Sequence, residues 1–269
     1  MNRDIARQAT VVVSFVVTLV VNWLATTGAL GGLTTREIAT RYPIYFLPAN
    51  FTFGIWGLIY LALGIYTVYQ ALPSQREQPR QRAVGWLVAL TGVFNSLWLV
   101  TFQNTLFAAS MLAMLALLVT LIVTYMRLDI GGAPVNLTTR LLLTLPFSLY
   151  LGWITVATIA NASYVLYDAG WDGFGISGQV WAVIMLLVAA VLTLYVVATR
   201  GDVVFLLVVV WAFSGIWVRQ QMDAPQVALV AGVGALALVV AGLISIVQSI
   251  VEQRGKGPGG VARLEHIRI

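Results

Sequence analysis

Residues 139–161 read TRLLLTLPFSLYLGWITVATIAN, and the fold follows from how this stretch is read. After Arg140 no charged side chain occurs before Asp168. About 20 consecutive, mainly apolar residues are enough for a helix to cross the hydrocarbon of a bilayer, so this segment predicts a membrane span. Its polar content is specific. Trp153, Ala157 and Asn161 recur every four residues and therefore share one stripe of the helix, an indole, a small residue and an amide in a row.

Working outward, seven further stretches meet the same criterion, near 8–30, 51–72, 83–103, 105–126, 178–199, 203–221 and 226–251. The breaks carry turn or charge signals, such as Pro73 to Arg82, Arg127 to Pro134, Arg200-Gly201-Asp202 and Met222 to Pro225. The third and fourth spans are parted only by Gln103-Asn104. Composition agrees: of 269 residues, 60% are apolar and 9% charged, against about half and a quarter in soluble domains. The expected fold class is all-α, a polytopic membrane helix bundle of about eight transmembrane helices.

Charge places the ends. With both termini cytoplasmic, only Arg36, Arg41 and Arg219 of the 15 basic residues fall outside, leaving 12 inside; one span more or fewer in the middle would scramble that bias. The expected location is a bacterial inner (plasma) membrane with cytoplasmic N- and C-termini. The first apolar run resembles a signal peptide, but its length and its Asn22 and Trp23 favour a retained span. Basic residues facing anionic lipid account for the net charge of +5; without a basic stripe interleaved with aromatics, no nucleic-acid partner is expected.

The same composition removes several chemistries. There is no Cys; the one His is His266 and the one Lys is Lys256, both in the C-terminal tail. An intramembrane metal site, axial ligation of haem and a retinal Schiff base are therefore not expected, and no catalytic residue is assigned. The ten acids all sit in loops, tails or span ends, which disfavours proton- or sodium-coupled transport.

The spans carry aromatic and amide side chains instead. Trp86, Trp181 and Trp217 lie near span ends and suit an interfacial belt. Trp56, Trp98 and Trp153 lie deeper, each near a polar or aromatic partner: Trp56 with Tyr60, Asn95 with Trp98, Trp153 with Asn161. From spacing alone these groups serve either as glue between helices or as the wall of a ligand pocket.

At these residues the sequence resembles the TspO/MBR family, the tryptophan-rich sensory or translocator proteins. Three motifs carry the resemblance over residues ~8–165. A proline-aromatic segment, Tyr42 to Pro48, leads into Trp56-Gly57-Leu58-Ile59-Tyr60; Asn95, Trp98 and Phe102 follow on the third span, and Tyr150, Trp153, Ala157 and Asn161 on the fifth. The chain departs from the family pattern at Leu149, where a proline usually stands, and at Gln103, where an aromatic does. The resemblance implies a five-helix domain over 1–165, followed here by a three-helix membrane extension over 166–252 and a basic cytoplasmic tail over 253–269.

It further implies a pocket among the five helices for a porphyrin or other flat hydrophobic ligand such as a sterol, lined by Trp56, Tyr60, Asn95, Trp98, Tyr150, Trp153, Ala157 and Asn161. The 31–50 loop, stiffened by Pro43 and Pro48, would be its lid. No cofactor is obligatory. Slow porphyrin breakdown, associated with bacterial relatives, is a minor implication. The expected partners are the lipid bilayer, a hydrophobic small molecule, and a second copy or a larger membrane complex.

Other motifs carry less. Cholesterol-recognition patterns at 123–127 and 192–200 are too permissive to use, and Arg200-Gly201-Asp202 reads as a turn. The 162–177 segment, with Tyr164, Tyr167, Trp171 and Phe174 among glycines, reads as an interfacial re-entry, or else as a second lid or a docking patch. Ala231, Gly234, Ala235 and Gly242 predict close helix packing on the eighth span. Two alternatives to a ligand-binding sensor remain: a non-catalytic accessory subunit of a larger membrane complex, and a passive permease for an apolar solute.

Overall fold

The computed structural model describes residues 3–39, 41–132 and 135–255; the tail from 256 on, with Lys256 and His266, lies outside the described residues. Among the described residues eight helices are long and apolar enough to cross a membrane, the second and fifth counted with the short helical turns that lead into them. They are α1 (Arg3–Thr26), α2 (Ile55–Ala71), α3 (Pro79–Gln103), α4 (Phe107–Arg127), α5 (Leu145–Asp168), α6 (Gly178–Arg200), α7 (Val203–Gln220) and α8 (Pro225–Gly255). No strand occurs among the described residues.

Local chemistry sets the helix limits. Pro79 and Pro225 open α3 and α8, where a missing N–H costs nothing. Ser177 caps α6 by accepting from the Val180 N–H, and Gly201 closes that helix in the left-handed region. Ahead of α5, Arg140–Thr144 winds as a π-helix. Pro146 follows two residues later and has no N–H to return to the carbonyl four residues back, a disruption that wider winding accommodates.

The first five spans close a ring in which α1 packs on α3, α3 on α4, α4 on α5, α5 on α2 and α2 on α1. The last three form a layer on one side of it: α7 lies on α5, while α6 and α8 pack on α7 and on each other. The small residues of α8 are used inside the chain. Ala231 and Ala235 are buried, and the α carbons of Gly232, Gly234 and Gly242 approach Trp217, Phe213 and Leu206 of α7.

One expectation changes. The segment after residue 161 continues as helix to Asp168, so Tyr164 and Tyr167 extend the aromatic face of α5, and only 169–177 forms the connection. The buried Tyr164 explains this, since an apolar stripe at helical spacing keeps the backbone helical. Trp181, half-buried in the first turn of α6, keeps its place at a span end, and its Nε1 donates to the Gly173 carbonyl at 2.9 Å.

The turn at Arg200-Gly201-Asp202 does more than reverse the chain. Asp202 is buried and accepts from the Tyr125 hydroxyl of α4 (2.9 Å), the Ser148 hydroxyl of α5 (2.7 Å) and the Phe205 N–H of α7 (3.0 Å). One carboxylate thus joins the five-helix ring to the three-helix layer. Asp202→Ala would strand two buried hydroxyls and the first turn of α7, a destabilisation of about 1–3 kcal/mol. A thermal melt of the detergent-solubilised protein is expected to shift down for Asp202→Ala, and less for Asp202→Asn, which keeps an acceptor.

Candidate functional site

The site is set by two hydrogen-bonded knots inside the ring. In the first, the Tyr60 hydroxyl of α2 donates to the Asn22 side-chain oxygen of α1, and the Asn22 amide donates to the Asn95 oxygen of α3 at 3.0 Å. Asn95 in turn lies against the hydroxyls of Tyr60 and Tyr150. In the second, Trp98 Nε1 of α3 donates to the Asn161 oxygen of α5 at 3.2 Å, and the Asn161 amide donates to the Ser110 hydroxyl of α4 at 3.2 Å. The amides at lipid depth point inward because hydrocarbon offers them no partner.

Between the knots the rings stack. Trp56 lies parallel to Tyr60 at 5.2 Å and to Trp98 at 6.3 Å, and meets Tyr150 and Trp153 edge-on at 6.0 and 6.3 Å. From Trp98 the series continues through Phe102 to Phe107 and Tyr164 and ends at Tyr42 of the first loop. This is an aromatic column along one side of the ring interior.

Two cavities adjoin the column. The larger, about 850 Å³, lies between α1 and α2 with α3 behind it; Asn22, Trp23, Trp56, Tyr60 and Trp98 form its sides. The smaller, about 60 Å³, lies toward α5, beside Trp153, Ala157 and Asn161. Thr35, Phe53, Trp56 and Trp98 border both. Trp153 Nε1 is buried beside the smaller cavity with no hydrogen-bond partner, a donor left open to an acceptor entering there.

Of the residues singled out from sequence, Trp56, Tyr60 and Trp98 therefore face the larger cavity, and Trp153, Ala157 and Asn161 the smaller. Asn95 and Tyr150 are buried behind them and border neither, acting through Asn22 and Trp56. Pro48 borders the smaller cavity, whereas Pro43 lies elsewhere, at a crevice between α5 and α6. Phe53 and the bridging role of Asn22 were not read from the sequence. The four-residue spacing of Thr18 and Asn22 on α1 was the available signal.

The first loop covers the larger cavity with Thr34, Thr35, Glu37 and Asn50. Thr34 and Glu37 form a capping box on the short helix Thr35–Ala39: Glu37 accepts from the Thr34 N–H (2.7 Å) and hydroxyl (2.8 Å), and the Glu37 N–H donates back to Thr34 at 3.2 Å. These bonds hold the Glu37 carboxyl below its usual range. Gln103, in place of an aromatic, donates to the Ala25 carbonyl (2.6 Å) and the Thr35 hydroxyl (3.2 Å), tying the cover to α1 and α3. At the other end of the loop the Tyr42 hydroxyl donates to Asp168 at 3.0 Å, and that carboxylate raises the Tyr42 pKa.

The three-helix layer holds the loop as well. Gly215 of α7 accepts from the Ala49 N–H at 3.0 Å, Trp211 Nε1 donates to the Thr52 carbonyl at 2.9 Å, and Gln220 donates to the Tyr45 carbonyl at 2.9 Å. A Cβ at Gly215 would overlap Thr52 Oγ1 and lie 2.9 Å from Pro48 Cβ, so only glycine allows this approach. Among the described residues no group of three metal-ligating side chains gathers.

Fold and site together define a polytopic helical membrane protein with an aromatic intramembrane cavity under a long first loop. A family model described as TSPO-like protein matches residues 8–244, nearly the whole membrane-spanning part and not only its first five helices. The chain belongs to the TSPO-like protein family. No curated protein and no solved structure matches it.

Asn22→Ala should loosen α1 from α2 and α3 by removing the bonds that Asn22 makes to Tyr60 and Asn95, a loss of about 1–2 kcal/mol. Hydrogen exchange followed by mass spectrometry is expected to show faster exchange in α1 and the first loop, with α6 to α8 unchanged.

Proposed function

We propose that this protein binds a flat, hydrophobic, tetrapyrrole-like ligand in the cavity between α1 and α2, and that it acts as a sensor or translocator for that ligand. One observation carries the reading: a cavity of about 850 Å³, within the range of small-molecule sites, is walled by the near-parallel rings of Trp56, Tyr60 and Trp98. A planar ligand would stack on these rings. Asn22 and the loop residues would supply its polar contacts. Binding by stacking and hydrogen bonds suits a site without an imidazole, since the only histidine is His266.

The reading makes the chain a binding protein and assigns it no reaction. Trp56 borders both cavities, so a turn of its ring would join them and bring the free Trp153 N–H within reach of the ligand. We place the protein in a bacterial inner membrane; the bias of basic residues supports cytoplasmic termini, and the loop and the cavity mouth would then face outward.

The test is a titration of purified protein in detergent with protoporphyrin IX, followed by quenching of tryptophan emission. Saturable, micromolar binding is expected. Trp56→Ala and Trp98→Ala should weaken it about tenfold through loss of stacking, Trp153→Ala should weaken it less, and Trp86→Ala, which alters an exposed side chain, should leave it within twofold. Equal effects at all four positions, or no saturable binding, would overturn the proposal.

A further inference from the structure

A separate crevice lies between α5 and α6. The two helices both rest on α7 but scarcely touch each other, and at the end bearing the first loop a space of about 570 Å³ remains between them. Tyr45 holds that end: its ring lies against Gly178, where a Cβ would meet two ring carbons at 3.3 Å, and its carbonyl is fixed by Gln220. The depth of the crevice is mainly apolar, walled by Ile159, Ala162 and Leu166 of α5 and by Ala182 and Met185 of α6, and the hydroxyls of Thr158 and Ser163 there donate to carbonyls of their own helix.

The mouth is different. Tyr45, Tyr167, Trp171 and Trp181 gather there, with Trp171 and Trp181 5.2 Å apart. Trp181 is pinned to the Gly173 carbonyl, and Asp172 accepts from the Phe174 N–H at 2.9 Å, so the turn that carries the rings is fixed. Asp172 is exposed and borders the crevice, while none of the residues lining it is basic. Aromatic faces beside a carboxylate attract a cation, and an apolar slot between two membrane-spanning helices accepts a hydrocarbon tail.

We propose that this crevice binds an amphiphile with one apolar tail and an ammonium head group, the tail between α5 and α6 and the head among Tyr45, Tyr167, Trp171 and Trp181, facing Asp172. The inference goes beyond the tetrapyrrole reading and does not depend on it, because the two cavities share no lining residue.

Three probes of equal chain length test it on the full-length protein in maltoside micelles: tail-brominated dodecyltrimethylammonium, dodecylphosphocholine and dodecyl sulfate, each read by contact quenching of tryptophan. Saturable quenching is expected with trimethylammonium, and weaker or none with sulfate. Phosphocholine binding as tightly as trimethylammonium would support the site and identify a lipid head group as its source; phosphocholine binding only weakly would support it and point to a free cationic amphiphile. Ala162→Phe, which fills the slot, should abolish the saturable component. Asp172→Asn, a change at an exposed side chain, should weaken the trimethylammonium probe about two- to fivefold and reduce its advantage over sulfate. Trp86→Phe, at an exposed side chain away from the crevice, should leave the three apparent affinities unchanged. Equal quenching by all three probes, or a cation preference that survives both Ala162→Phe and Asp172→Asn, would overturn the proposal.

Discussion

Asn22, Tyr60, Asn95, Trp98, Ser110 and Asn161 are polar groups carried by membrane-spanning helices, and hydrocarbon gives them no partner. They pair with one another, and the pairs cross between helices: α1 to α2 and α3 through Asn22, and α3 to α4 and α5 through Asn161. Each such bond adds only about 0.6 kcal/mol on average in a membrane, yet together they fix which faces of five helices look inward. The rings of Trp56, Trp98, Tyr150 and Trp153 stand between these knots and meet as a column for that reason. The cavity beside the column exists because α1 and α2 touch less closely than α1 and α3 do.

The last three helices support this arrangement from the side. α7 reaches the ring through the buried Asp202 at one end and through Gly215, Trp211 and Gln220 at the other. The latter group grips the backbone of the first loop where it turns into α2. The extension therefore braces the segment that covers the cavity between α1 and α2, and the family match continues through it to residue 244. The remaining apolar faces, such as those of Leu187 and Val191 on α6 and of Leu229, Leu236 and Leu243 on α8, are exposed and suit contact with lipid.

Much of this was legible beforehand. Eight long apolar runs separated by charged or proline-bearing turns leave little freedom about fold class, and spacings of three and four placed Asn95 with Trp98 and Trp153 with Asn161 on shared faces. Helical periodicity shows which residues of one helix lie together, but not which helix they face. Asn22 therefore looked like an argument against a signal peptide and not like the centre of a network, and Asp202 looked like part of a turn. The same limit separated Pro43 from Pro48: both are loop prolines in sequence, but they border different cavities because the intervening residues are held by α7. The continuation of α5 to Asp168 was masked by the tyrosines and glycines around it, whose composition reads as loop although Tyr164 keeps the helical stripe.

The proposed position of the ligand is between α1 and α2 beneath the first loop. Photo-crosslinking with a diazirine-bearing porphyrin, followed by peptide mapping, tests it directly. Adducts are expected on the α1 stretch from Leu19 to Thr26 and on Phe53 to Tyr60, suppressed by excess protoporphyrin IX. Adducts confined to α5 and α6, or spread evenly over the lipid-facing helices, would contradict it.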